Sequence, residues 1–169
     1  MLVFLVGYMG AGKSSVGREL AKELDFRFVD TDCWIENRCC KSTSQIFEEF
    51  GEEFFRTKEK ECLEFLVDQD DVVIATGGGL PCNNNLMDLM NELGEVVYLK
   101  ASSSILVNRL ANELKNRPKL ANIQSEIELN TFVKTHLLER ECFYSLAKNI
   151  IGVANKTQAE IIKEVCLIL

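Results

Sequence analysis

Histidine and proline are nearly missing from this chain: His136 is the only residue of the first kind, and there are two of the second. A structural zinc site draws on clustered histidines and cysteines. Here the seven cysteines (33, 39, 40, 62, 82, 142 and 166) contain no Cys-x-x-Cys pair, and neither His136 nor Cys39-Cys40 has ligand-like company, so zinc is excluded. Their odd number, and the apolar helical positions that several of them take, read as reduced thiols in or near a core. Scarce proline beside 47% hydrophobic and 27% charged residues argues against disorder and for one compact globular domain spanning 1–169. No segment approaches the run of about 20 apolar residues that a membrane span requires. The first motif starts at residue 7, leaving no room for a signal peptide, so the expectation is a cytoplasmic protein with no membrane partner. Cations are also in deficit, 19 against 26 acids for a net charge of −7, which excludes an extended nucleic-acid footprint. Only seven arginines are present (18, 27, 38, 56, 109, 117 and 140), so each is a candidate for gripping a carboxylate or phosphate in a two-pronged fork.

What is present begins with Gly7-Tyr8-Met9-Gly10-Ala11-Gly12-Lys13-Ser14, which fits the pattern G-x-x-x-x-G-K-[ST] and stands between an apolar run at 2–6 and a helical pattern from about residue 13. A chance glycine-rich turn would not need that strand-then-helix setting. The glycines let the backbone curl so that N–H groups point at an anion, and the following helix adds its positive end. Lys13 reaches outer phosphates and Ser14 can ligate Mg²⁺. Nucleoside triphosphate binding through Gly10, Ala11, Gly12, Lys13, Ser14 and Ser15 follows.

Short apolar stretches at 2–6, 26–29, 72–76, 95–99 and 149–153 read as strands. Helical patterns cover 14–24, about 52–67, about 83–91, 103–112, about 125–144 and 157–169. Ser42-Thr43-Ser44-Gln45 looks like a capping box opening a short helix that Gly51 stops. The polar stretch 113–124, with Arg117-Pro118, is the candidate mobile loop. Alternation of this kind implies a parallel sheet covered on both faces, with ligands at the carboxyl ends of its strands. No internal repeat or linker suggests a second domain.

Two further features fall at those strand ends. Asp30 and Asp32 are two residues apart, and in an extended segment they share a side, one for a metal and one for an acceptor; surface turns also favour aspartate. Gly77-Gly78-Gly79 costs roughly 0.5–1 kcal/mol per residue in chain entropy. Either a bound small molecule meets this backbone closely, or the glycines make a tight structural turn.

The set as a whole resembles the shikimate kinase family: the phosphate loop at 7–14, Asp30-Thr31-Asp32, Phe55-Arg56, the triple glycine, Arg117-Pro118 and Arg140-x-x-x-Tyr144 occur in the family's order over about residues 1–150. The resemblance implies a three-layer α/β P-loop kinase fold, with a five-stranded parallel sheet in the order 2-3-1-4-5. It also implies an acceptor-binding helical segment at about 31–66 and a mobile lid at about 113–124. The activity implied is transfer of phosphate from ATP to the 3-hydroxyl of shikimate by a monomer, with Mg²⁺ as cofactor. Ser14 and Asp30 would hold the metal, Asp30 through water, and Asp32 would bind the acceptor's hydroxyls, with or without taking a proton. Arg56 and Arg140 would clamp its carboxylate, and Gly77, Gly78 and Gly79 would present N–H groups. Lys13 and Arg117 would neutralise the migrating phosphate, with Arg109 on the adenine side. Lys13, Arg56, Arg117 and Arg140 would together offset the negative charge of donor, acceptor and the two aspartates.

Three positions depart from the family pattern. Leu80 follows the triple glycine where a smaller residue is usual, tightening the acceptor wall; Cys142 replaces a proline, so the helix there runs on differently; Lys119 either solvates or adds a phosphate contact. His136 reads as a solvated or core-edge residue, Trp34 and Tyr8 as apolar wall or stacking surface, and Glu59, Lys60 and Glu61 as an exposed helix face. The rivals are a gluconate or nucleoside monophosphate kinase, or a nucleotide-binding regulator that has lost catalysis. A monophosphate acceptor would need cations for a dianion, whereas Arg56 with Arg140 suits one planar carboxylate.

Overall fold

A computed structural model describes residues 1–83, 85–111, 120, 123 and 125–169. The sheet is built from β1 (Leu2–Val6), β2 (Arg27–Asp30), β3 (Val72–Ala75), β4 (Glu95–Lys100) and β5 (Asn149–Gly152), all parallel and ordered β2-β3-β1-β4-β5. β1 and β3 are buried along their whole length because helices cover both faces, which is why they read as unbroken apolar runs rather than alternating ones.

The helices are α1 (Lys13–Leu24), α2 (Thr31–Cys39), α3 (Thr43–Val67), α4 (Leu86–Leu93), α5 (Ser103–Leu110), α6 (Glu126–Tyr144) and α7 (Gln158–Ile168), with a 3-10 turn at Leu80–Cys82. Local chemistry fixes their starts. Ser42 and Gln45 form a reciprocal capping box for α3, Thr157 and Glu160 form one for α7, and Ser102 and Ser125 cap α5 and α6. Gly51 breaks α3 internally with φ +80° and ψ 176°, so the stop expected there is real, although helical backbone resumes at once.

One expectation fails. The Asp30-Thr31-Asp32 stretch is not extended beyond Asp30: helix α2 starts at Thr31, and Asp30 is its N-cap, accepting bonds from the Asp32 and Cys33 amides at 3.1 and 3.2 Å. An aspartate directly before a helical stretch satisfies orphan N–H groups, and that local gain outweighs continuation of the strand. The main core gathers around β1, β3 and β4, and a small satellite of Ile35, Ile46 and Phe55 ties α2 to α3. Leu80 is fully buried in the main core, and α6 passes through Cys142 without interruption.

Candidate active site

Two adjoining cavities open at the carboxyl ends of the strands. The larger, about 640 Å³, is bordered by the phosphate loop, Asp30, Asp32, Thr76, Gly78 and Arg109. Gly7, Gly10 and Gly12 all take positive φ, which lets the loop turn its amides inward. Helix α1 then begins with no side-chain cap and no acidic residue in its first turn, so its N–H groups and positive end are kept for an anion. Lys13 is 9% exposed, and its Nζ donates to the Gly7 and Tyr8 carbonyls at 2.8 and 2.9 Å. Ser14 Oγ donates to Asp30 Oδ2 at 2.6 Å, bringing two hard oxygens together beside the loop, a donor set suited to Mg²⁺. Arg109 bonds the Gly10 and Ala11 carbonyls at 3.0 and 3.2 Å, and Ser15 Oγ bonds the Gly12 carbonyl.

Lys156, Gln158 and Ile161 also line this cavity, and Gln158 donates to the Ser15 carbonyl at 2.7 Å. Sequence reasoning missed all three. Only the capping Thr157 between them marks a helix start, and nothing local says that this start docks against α1.

The smaller cavity, about 250 Å³, is bordered by Thr43, Phe47, Phe55, Arg56, Glu59, Arg140 and the three glycines. Met9, Asp32 and Gly78 border both cavities. Asp30 faces only the larger one, so the two aspartates share that chamber and Asp32 alone reaches the smaller, though not by the alternation of a strand. Asp32 Oδ1 is buried without a hydrogen-bond partner, and burial, with Asp30 nearby, pushes its carboxyl up to about 6.

Two of the three glycines leave room for the protein's own side chains. A Cβ on Gly77 would stand 2.4 Å from Asp32 Oδ1, and one on Gly79 would stand 2.7 Å from both terminal nitrogens of Arg56. Gly78 keeps the middle position open, and its carbonyl accepts from Arg140 Nη1 at 3.0 Å and from Tyr144 OH at 2.6 Å. Both guanidinium groups therefore converge on one short loop.

Glu59 corrects the sequence reading most sharply, because it is 0% exposed rather than part of a solvated helix face. Its Oε2 accepts from Arg56 Nη1 at 2.7 Å, while Glu52 takes Arg56 Nη2. Glu59 Oε1 is a second buried oxygen without a partner, and burial pushes its carboxyl up to about 7 against the pull of Arg56. The charge balance expected from sequence changes accordingly, since Arg56 already faces two carboxylates. Leu80, expected to tighten the acceptor wall, turns into the core instead; Phe47 and Phe55, stacked at 4.7 Å between centroids, form that wall. Trp34 packs under Arg38 and against Phe65, away from both cavities. Arg117, Lys119 and most of the 113–124 lid lie outside the described residues.

A phosphate loop at the end of the central strand, with a second, smaller chamber beside it across Asp32 and Gly78, defines a P-loop small-molecule kinase. The family model described as shikimate kinase matches residues 9–169. Proteins named shikimate kinase are 41% identical over 162 residues in Azobacteroides pseudotrichonymphae, covering 95% of each chain, and 48% identical over 145 residues in Parabacteroides distasonis, covering 86% of this chain and 83% of that one. The crystal structure of shikimate kinase from Bacteroides thetaiotaomicron superposes with a TM-score of 0.92 at 34% identity, over 100% of this chain and 99% of that one. Shikimate kinase from Acinetobacter baumannii in complex with shikimate gives 0.89 at 32% identity, over 99% and 91%. The chain belongs to the shikimate kinase family. No helix among the described residues is long and apolar enough to cross a membrane.

Proposed function

We propose that the chain transfers the terminal phosphoryl group of ATP to the 3-hydroxyl of shikimate, releasing ADP and shikimate 3-phosphate. The observation that carries this is the pair of adjoining chambers, one floored by the phosphate loop and the other flanked by Arg56 and Arg140. Phosphoryl transfer has a loose transition state, so the protein's work is alignment and charge stabilisation rather than covalent chemistry. The donor phosphates occupy the loop amides of Gly10 to Ser15, where Lys13 exchanges its contacts with the Gly7 and Tyr8 carbonyls for phosphate oxygens. Arg109, which borders this chamber, takes the adenine-side role that the family resemblance gives it.

Ser14 and Asp30 are the residues that would hold Mg²⁺, Asp30 through water; when bound, the ion offsets the charge of the outer phosphates. Arg56 and Arg140 take the acceptor's carboxylate, and Gly77, Gly78 and Gly79 supply backbone near the ring. Asp32, bordering both chambers, orients the hydroxyl; its raised carboxyl also suits it to accept a proton near neutral pH. Arg117 keeps the phosphate-capping role, and 113–124 the lid role, that the family resemblance gives them. The reading includes one kinase domain acting as a cytoplasmic monomer, with helices α2 and α3 as its acceptor-binding segment.

An ADP-release assay offering shikimate, gluconate and AMP in turn tests the assignment. Turnover only with shikimate, abolished by a metal chelator and restored by Mg²⁺, is expected. Turnover with AMP or gluconate but not shikimate overturns it.

A further inference from the structure

Helix α6 meets the loops around the two chambers through three side chains, each one or two turns apart, and of these only Arg140 borders a chamber. Two of them, Arg140 and Tyr144, end on the Gly78 carbonyl. The third is His136, whose Nδ1 lies 2.9 Å from the hydroxyl of Tyr8, with the two rings edge to face at 5.5 Å between centroids. Tyr8 is the second residue of the phosphate loop and is 1% exposed. The loop's path is set by its glycines, and the Tyr8 ring packs into the main core while its hydroxyl is left to face His136.

The contacts of Tyr8 run in two directions. Its carbonyl accepts from Lys13 Nζ at 2.9 Å, so its backbone senses the side chain that meets the donor's phosphates. Its phenol, held un-ionised by burial, meets the helix that carries Arg140 one turn beyond His136. Phe132, one turn before His136, packs against the same imidazole at 5.0 Å and fixes its orientation.

We infer that Tyr8 and His136 form a positioning pair that fastens helix α6 to the phosphate loop and thereby sets Arg140 in the acceptor chamber according to the state of the donor chamber. Neither residue lines the acceptor chamber, so neither is catalytic; they act through Arg140. The inference rests on the proposed shikimate reading, since it assigns Arg140 to the acceptor. A phosphate group that draws Lys13 off the Tyr8 carbonyl frees that peptide to move, and the phenol carries the change to α6. Donor and acceptor then bind with reciprocal coupling.

The test compares wild type with Tyr8→Phe, which keeps the ring and removes one hydroxyl, and with His136→Ala. His136→Asn serves as the conservative variant, because its side-chain oxygen falls near the place of Nδ1. Wild-type turnover with shikimate checks the underlying reading separately: if it is absent, the function falls. In a working enzyme, Tyr8→Phe and His136→Ala should each raise the shikimate KM by roughly three- to tenfold, the loss of one hydrogen bond of ordinary net strength. The dissociation constant of ATP with shikimate bound should rise by a comparable factor, as reciprocity requires, while kcat should change by less than about twofold. The double variant should be no worse than either single one, and His136→Asn should recover part of the loss. Shikimate affinity measured by calorimetry with and without ADP should lose its dependence on nucleotide in both variants. Unchanged shikimate KM, additive effects, or a raised KM accompanied by comparable losses of kcat and melting temperature would overturn the pair's positioning role.

Discussion

Two glycines illustrate how differently one missing methyl group can act. At Gly94, which ends α4, a Cβ would stand 2.3 Å from the Leu2 carbonyl oxygen, and that obstacle is the backbone of the central strand. At Gly79 the obstacle is the far end of a side chain, the Arg56 guanidinium. Gly94→Ala should therefore destabilise by about 1–3 kcal/mol, lowering the melting temperature by several degrees with shikimate KM unaltered. Gly79→Ala should leave melting nearly unchanged and raise shikimate KM by about tenfold or more, as Arg56 is pushed aside. Equal melting losses in the two variants would refute the distinction. Glu59 makes a second prediction at this scale. Its carboxyl is raised from 4.5 to about 7 in the fold, so the folded chain binds a proton that the unfolded chain has released across that window. Stability from this group is complete below pH 4.5 and falls as pH rises through about 7. Melting scans of the unliganded protein between pH 4.5 and 8 should show that decline in wild type and a shallower one in Glu59→Gln; parallel curves would remove Glu59 as its source.

At the scale of elements, the break in α3 is the feature with most leverage. Gly51 separates the turn bearing Phe47 from the turns bearing Phe55, Arg56 and Glu59, so its angle sets how the two halves of the acceptor wall face each other. An added Cβ there meets nothing within 4 Å, and only φ +80° opposes it. Gly51→Ala should therefore cost roughly 1–3 kcal/mol through backbone strain alone, lowering melting by several degrees, and shikimate KM should rise as the wall shifts. An unchanged melting temperature would show that the break is tolerant.

This element also shows where the sequence was legible. The phosphate loop, the capping box at Ser42 and the five strands are written in contiguous residues, so local rules suffice. Helix α2, which falls within the helical segment at about 31–66 that the resemblance implied, was hidden from the local pattern because Thr31-Asp32-Cys33-Trp34 has no clear apolar stripe and Asp30 closes a strand just as well as it opens a helix. Glu59 was hidden by its neighbours: Lys60 and Glu61 are charged, and only the packing of α3 against the triple glycine turns position 59 inward. The roles of Lys156 and Gln158 depend on α7 crossing the open end of α1, a relation between residues more than a hundred positions apart.

Over the whole molecule, a chain of net charge −7 gathers Lys13, Arg56, Arg109 and Arg140 around two chambers at one end of a parallel sheet. The sheet order places β1, which feeds the phosphate loop, between β3, which feeds the glycine triplet, and β4. Donor and acceptor loops are thus direct neighbours, and their separation is fixed by hydrogen bonds of the sheet rather than by flexible connections.

The wall shared through Met9, Asp32 and Gly78 has a consequence for inhibition. A two-headed compound, with an adenosine polyphosphate tethered to a cyclic hydroxy acid, has only the border formed by Met9, Asp32 and Gly78 to cross. With a tether of matched length, its second head docks at a high effective concentration, and calorimetry should show affinity about 10² to 10⁴ times that of either half.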